Sequence, residues 1–100
     1  MRSRSVHSST YQILARHLKM ARLHPPDGGR KLTQVEIARK LGKPRSYTFK
    51  VENAERELNV IELLDYCEAL GVDFFEFMRD YLQEVESLRK TPQLENIPVE

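Results

Sequence analysis

Apolar side chains recur at spacings of three and four from Tyr11 onward: Tyr11, Leu14, Leu18 and Ala21, with Ile13 beside them, while Arg16, Lys19 and Arg22 take other positions. This is the period of a helix with one buried stripe, and it predicts an amphipathic helix over residues 10–23. The loop HPPDGGRK then ends it, because two prolines, an aspartate and two glycines favour turns over any regular element. Thr33 and Glu36 stand at capping-box spacing, each side chain placed to satisfy an orphan amide of a first helical turn. They open a helix over residues 33–41 with Ile37, Ala38 and Leu41 as its apolar positions and Gly42 at its end. Asn59 and Glu62 repeat the device ahead of Val60, Leu63, Leu64, Cys67 and Leu70, a face closed by Gly71. Asp73 caps a last helix to about residue 88, with Phe74, Phe77, Met78, Tyr81, Leu82 and Val85 along its apolar side and Phe75 off it.

Between the second and fourth of these elements lies KPRSYTFKVEN, rich enough in aromatic and β-branched residues to be a strand. As a strand it would place Arg45, Tyr47, Phe49 and Val51 on one face, mixing charge into the apolar side. As a helix it puts Pro44, Thr48 and Val51 on one side and Ser46, Phe49, Lys50 and Asn53 on the other, with Arg45 and Tyr47 at the flanks. The helix sorts the residues better. It follows the preceding helix after a turn of about three residues, which is the helix-turn-helix arrangement, whose second helix enters the major groove. The chain therefore reads as all-α, with five helices. Residues 1–9 are expected to form a flexible basic arm, with Arg2 and Arg4 either disordered or reaching a minor groove, and residues 91–100 a loose tail.

Composition narrows the function. A chain of 100 residues with 40% hydrophobic and 31% charged residues is expected to be one soluble domain, without a membrane span or a secretory signal, and hence cytoplasmic. The single Cys67 cannot form an internal disulfide and lies in an apolar run, so it is expected to fill core. The net charge of +1 conceals an asymmetry: 13 Lys and Arg against 4 Asp and Glu up to Arg56, then 3 against 11 beyond it. Such a basic half suits a polyanion, and the acidic half suits a protein partner or a shield against nonspecific binding. His7, His17, His24 and Cys67 show no metal-ligand spacing, DGGRK lacks the spacing of a phosphate-cradling loop, and no nucleophile stands with a base and an acid. No cofactor, metal or catalysis is expected.

The run LTQVEIARKLGKPRSYTFKVENAERELNVIELLDYCEALGVDFFEF resembles the phage-repressor-like (XRE-type) helix-turn-helix family, in its L-T-Q opening, its L-G turn, its V-E-N and its final A-L-G-V. The resemblance implies a five-helix repressor-like DNA-binding domain over residues 10–78; residues 79–90 extend the last helix, and Phe75, Leu82, Val85 and Leu88 run past what four short helices can cover, which offers a dimer contact. It implies that Gln34 contacts a phosphate and braces the recognition helix, that Arg45, Ser46 and Lys50 read bases, and that Lys43 and Asn53 contact the backbone. Tyr47 and Phe49 complete the expected DNA-binding set. Three positions depart from the family pattern. Ala54 stands where glycine usually ends the recognition helix, and Thr48 stands at a buried Ile or Val position, its hydroxyl expected on the Pro44 carbonyl. Phe49 occupies the groove side, where it meets a thymine methyl, a partner subunit, or only water. HPPDGGRK is also longer than the family's usual connection, with Arg30 and Lys31 as candidate backbone contacts.

The resulting expectation is a sequence-specific transcriptional regulator of double-stranded DNA, a repressor acting as a homodimer on a palindromic operator. Glu36 and Glu52 are expected to cap helices or pair with nearby Arg or Lys. Two other readings remain open: an antitoxin whose acidic C-terminal half binds a toxin, and a protein-interaction module on the same scaffold that does not bind DNA.

Overall fold

The computed structural model describes residues 9–90. The expected tail and all of the arm but Ser9 lie outside the described residues. Among the described residues there are five helices: α1 Ser9–Leu23, α2 Gln34–Lys40, α3 Arg45–Glu52, α4 Val60–Leu70 and α5 Phe74–Lys90. There is no strand among the described residues, and KPRSYTFKVEN is helical from Arg45 to Glu52.

Both expected capping boxes form. Thr33 accepts from the Glu36 amide while Glu36 accepts from the Thr33 amide, and Asn59 and Glu62 do the same at the start of α4. Pro44 serves as the N-cap of α3 in an extended conformation rather than lying inside its first turn. At the other end of α3, Ala54 has φ +59 and stands in for the missing glycine. Its left-handed backbone costs about 1–2 kcal/mol, but the methyl is buried and restricts the unfolded chain, which recovers about the same amount.

Leu18, Ile37, Thr48, Val51, Tyr66 and Cys67 are the fully buried centre. α2 packs on α3 and α4, while α1 lies across α3, α4 and α5. A second seam joins α1 to α5: the Tyr81 hydroxyl donates to the Thr10 carbonyl at 3.1 Å, and Glu84 holds both Arg16 and, at 2.7 Å, His17. The His17 ring meets Phe77 and Tyr81 edge-on. Burial pushes the Cys67 thiol up to about 12, so it is a core side chain and a poor nucleophile.

Packing corrects the expected faces of the last two helices. In α4 the buried stripe is Leu63, Tyr66, Cys67 and Leu70, while Val60 (69%) and Leu64 (46%) face solvent beside Ile61. In α5, Phe77 and Val85 are buried but Leu82 and Leu88 are half exposed and Phe75 is 80% exposed.

Thr48 is buried as expected, but its hydroxyl does not reach the Pro44 carbonyl, which accepts from the Tyr47 amide instead. The Thr48 and Tyr66 hydroxyls are the two buried side-chain oxygens without a hydrogen-bond partner among the described residues. Thr48 is one of the neighbours that favour the Tyr66 phenolate, but no bond of proper geometry joins the two groups. A buried hydroxyl without a partner costs about 1–3 kcal/mol, so Thr48→Val and Tyr66→Phe are each expected to be neutral or to raise the thermal midpoint. A loss above about 1 kcal/mol in either melt would show that the hydroxyls bond each other.

Three carboxylates are held below the usual carboxylate range by their partners. The Arg30 guanidinium and the Thr33 amide hold Glu36 down to about 2, and the Asn59 amide and Arg56 lower Glu62. Arg16 and His17 lower Glu84. Because each is depressed in the folded state, each contributes stability above the ordinary carboxylate range and loses it as pH falls toward its folded value. Midpoints of thermal unfolding should therefore be flat from neutrality to about pH 5 and fall steadily toward pH 2. Glu36→Gln should fall less steeply over that window.

Candidate nucleic-acid interface

The α2–turn–α3 unit is built by local signals. Leu41 caps α2, Gly42 turns the chain at φ +69 with its α-carbon open to solvent, and the Lys43 amide returns to the Ala38 carbonyl at 2.9 Å. α3 then lies with Tyr47, Thr48 and Val51 inward, and with Arg45, Ser46, Phe49 and Lys50 exposed. Ser46, Phe49, Lys50 and Asn53 follow one another at helical spacing, so they share one outward face with Arg45 at its leading edge. No ion pair or side-chain hydrogen bond involves Arg45 or Lys50 among the described residues. Both cations are thus available to an external anion. Phe49 is 48% exposed, and it is the only large apolar side chain among the outward residues of α3.

Behind this face a buried ion pair fixes the helix. Arg22, at the end of α1, gives Nε to Glu52 Oε2 at 2.5 Å and Nη2 to Oε1 at 3.0 Å, and its Nη1 donates to the Leu32 carbonyl at 2.9 Å. The Glu52 side chain is 3% exposed and that of Arg22 10%. Gln34, the first residue of α2, donates its Nε2 to Glu52 Oε1 at 3.0 Å. One carboxylate at the end of α3 thus ties α3 to α1, to α2 and, through Arg22, to the loop before α2. Gln34, expected to brace the recognition helix, is placed against the carboxylate at the end of α3. Glu52 pairs with a basic residue as expected, although its partner is distant in sequence.

The remaining expected site residues divide. Lys43 is exposed in the turn, with its ammonium 5.3 Å from the centre of the Tyr47 ring, and Asn53 is exposed as the C-cap of α3. Tyr47 is placed differently from expectation: it is 8% exposed and packs against Tyr66, so it offers no base-reading edge. An aromatic ring on the flank of a helix this short is closer to its neighbours than to solvent. In the long loop, Arg30 is held by Glu36 at 2.6 Å and Lys31 is exposed. Arg22 is the residue that sequence reasoning assigned to the polar side. Its signal was present: Tyr11, Ala15, Leu18 and Arg22 continue one stripe at spacings of four and three.

An exposed, basic second helix, entered by a tight turn and fixed from behind, defines a DNA-binding helix-turn-helix module. The comparisons with known proteins agree. A family model described as helix-turn-helix matches residues 29–77. A solved XRE-family like protein from Pseudomonas syringae pv. tomato str. DC3000 is 35% identical, with a TM-score of 0.68, over 82% of this chain and 94% of that one. A search of curated proteins finds no match. The chain belongs to the XRE-type helix-turn-helix family. No helix among the described residues is long and apolar enough to cross a membrane, and no group of three or more His, Cys, Asp or Glu among them is placed to hold a metal.

Proposed function

We propose that the protein is a cytoplasmic, sequence-specific repressor that occupies a promoter as a homodimer on a palindromic operator, without cofactor or catalysis. The observation that carries this reading is the outward face of α3, where Arg45, Ser46 and Lys50 stand free beside Phe49 while the inward face is locked by the Arg22–Glu52 pair. Arg45 has the geometry to give a guanine O6 and N7 a bidentate pair, Ser46 suits either base edge, and Lys50 either a guanine or a phosphate. Gln34, Lys43 and Asn53 set the register on phosphates. Phe49 suits the methyl of a thymine. The homodimer is supported by Phe75, Leu82 and Leu88, which α5 leaves exposed.

Selection of bound duplexes from a random pool tests the reading. The expected result is an inverted repeat whose half-sites lie about one helical turn, roughly 34 Å, apart, together with a dimer by sedimentation on the selected duplex. Enrichment of no sequence, or of a single half-site bound by a monomer, would overturn it.

A protein partner on the acidic half, as in an antitoxin, has support of its own. Val60, Ile61 and Leu64 are exposed on α4 between Glu57, Asp65 and Glu68, an apolar patch with an acidic rim. Co-purification of a small basic protein at fixed stoichiometry would select that reading.

A further inference from the structure

The loop HPPDGGRK, longer than the family's usual connection, contributes a wall to a cavity of about 370 Å³ between α1 and α5. Met20 and Ala21 line this cavity from α1, Pro26 from the loop, and Val72 and Phe77 from the opposite side. These five side chains make a largely apolar floor. Met20 is 44% exposed, an unbranched and adaptable side chain that the protein itself leaves uncovered. No residue of α2 or α3 lines the cavity, so it is separate from the exposed face of α3.

The rim has a different character. Asp73, Glu76 and Asp80 border the cavity and follow one another at spacings of three and four, so the start of α5 presents them as one stripe. Lysine and arginine are absent from its lining. Asp73 accepts from the Glu76 amide at 3.0 Å, and Asp80 lies 4.0 Å from Arg79, with both side chains of that pair more than 60% exposed. The Glu76 carboxylate has no hydrogen bond or ion pair among the described residues. Three carboxylates against one guanidinium at the outer limit of pairing leave the rim acidic. An acidic stripe alone would be a solvated face. Here it borders an apolar depression, and the two together match a molecule with a positive head and an apolar body.

We propose that the cavity between α1 and α5 binds a small organic cation, a primary amine whose aliphatic or aromatic body lies against Met20, Ala21, Val72 and Phe77 and whose ammonium sits among Asp73, Glu76 and Asp80. An ammonium has three donors and no acceptor, which suits a rim of carboxylate oxygens. The volume lies near the lower end of the range of about 300–1,000 Å³ for small-molecule sites, and it suits a single ring or a short chain. Exposed ion pairs contribute little one at a time, so the head confers selectivity while burial of the body supplies most of the affinity.

The test uses the full chain, labelled with a nitrogen isotope for amide spectra, and phenethylamine as the probe at constant ionic strength. Saturable shifts are expected at amides of residues 20–26 and 72–80, with an affinity about tenfold above that for phenethyl alcohol, which has the same body without the charge. Methylammonium, the head without the body, should bind at least about tenfold more weakly than phenethylamine. Glu76→Gln combined with Asp80→Asn removes two rim charges at exposed positions, so the melting temperature should stay within a few degrees of the parent. In that variant the preference for the amine over the alcohol should shrink to about threefold or less. Equal affinities for amine and alcohol in the parent, a preference that survives the double variant, or shifts centred elsewhere would each overturn the site. Methylammonium binding as tightly as phenethylamine would show a charged surface without a pocket and overturn it too. The measurement involves no DNA, so the amine site and the DNA-binding reading stand or fall separately.

Discussion

Glu52→Ala is expected to cost about 3–5 kcal/mol, a large part of the roughly 5–15 kcal/mol that a domain of this size holds. The variant removes the only carboxylate bonded to Arg22 among the described residues and leaves a guanidinium with 10% of its side chain exposed and one carbonyl as partner. Arginine cannot escape by losing its proton, so the cost persists across the pH range. Arg22→Ala makes the opposite orphan, and its behaviour should differ. A buried carboxylate, 3% exposed and left with Gln34 alone, can be relieved by a proton where a guanidinium cannot, so the deficit of that variant relative to the parent should shrink as pH falls. Replacing both residues by apolar ones of similar volume, Arg22→Met with Glu52→Leu, is expected to recover most of the loss, because the desolvation of both charges disappears together. Urea unfolding of the three variants at two pH values reads all of this. A Glu52→Ala loss below about 1 kcal/mol would show that the pair is far better hydrated than its burial indicates.

The double apolar variant separates folding from positioning. It keeps the core closed but deprives Gln34 of its acceptor and frees the end of α3 from α1 and α2. A well-folded protein with weakened DNA binding is therefore the expected phenotype. The ion pair, in this view, serves to fix α3 rather than to add net stability.

Local devices were readable in the sequence because their residues are close together. Thr33 with Glu36, Asn59 with Glu62, and Gly71 each act within one helical turn, and all three formed. The helix-turn-helix was readable for the same reason, as was the burial of Thr48 and Val51 against the exposure of Ser46 and Lys50. What failed depended on partners that periodicity does not name. In α4 two overlapping stripes are almost equally apolar: one runs through Val60 and Leu64, the other through Tyr66 and Leu70. Only the positions of α1, α2 and α5 decide between them. Arg22 was assigned by its charge although its spacing placed it inward, and the carboxylate that makes its burial tolerable lies thirty residues away. Tyr47 was placed on the flank of α3 among the DNA-binding residues, whereas its ring packs inward against Tyr66. Chemistry on the exposed face of α3 was thus visible as residue types on a face, and the network behind that face required the tertiary structure.

Arg45→Ala combined with Lys50→Ala should remove sequence-specific binding while leaving the fold intact. Stability should barely change, since both side chains are exposed and neither has an ion pair among the described residues. Arg45 is the first residue of α3, where a positive charge opposes the helix dipole, and Lys50 lies in the last turn, where it is favourable. Their removal shifts stability in opposite directions by about 0.3–1 kcal/mol each, so the melting temperature of the double variant should match the parent within a few degrees. Binding is another matter. A bidentate contact to a base is worth about 1–3 kcal/mol of discrimination, so two such readers together carry about 2–6 kcal/mol. On a selected operator the double variant should therefore bind roughly 30-fold to 10⁴-fold more weakly. On an unrelated duplex the loss should be limited to the electrostatic share, a shallower salt slope with no preference left between the two sequences. The single variants sort the roles further: if Arg45 reads a base, its loss relaxes selection at one position of each half-site, and if Lys50 holds a phosphate, its loss weakens all duplexes alike. A gel-shift titration of the double variant that overlaid the parent on the selected operator would mean that α3 does not read DNA, and the exposed face with Phe49 at its centre would then belong to a protein partner.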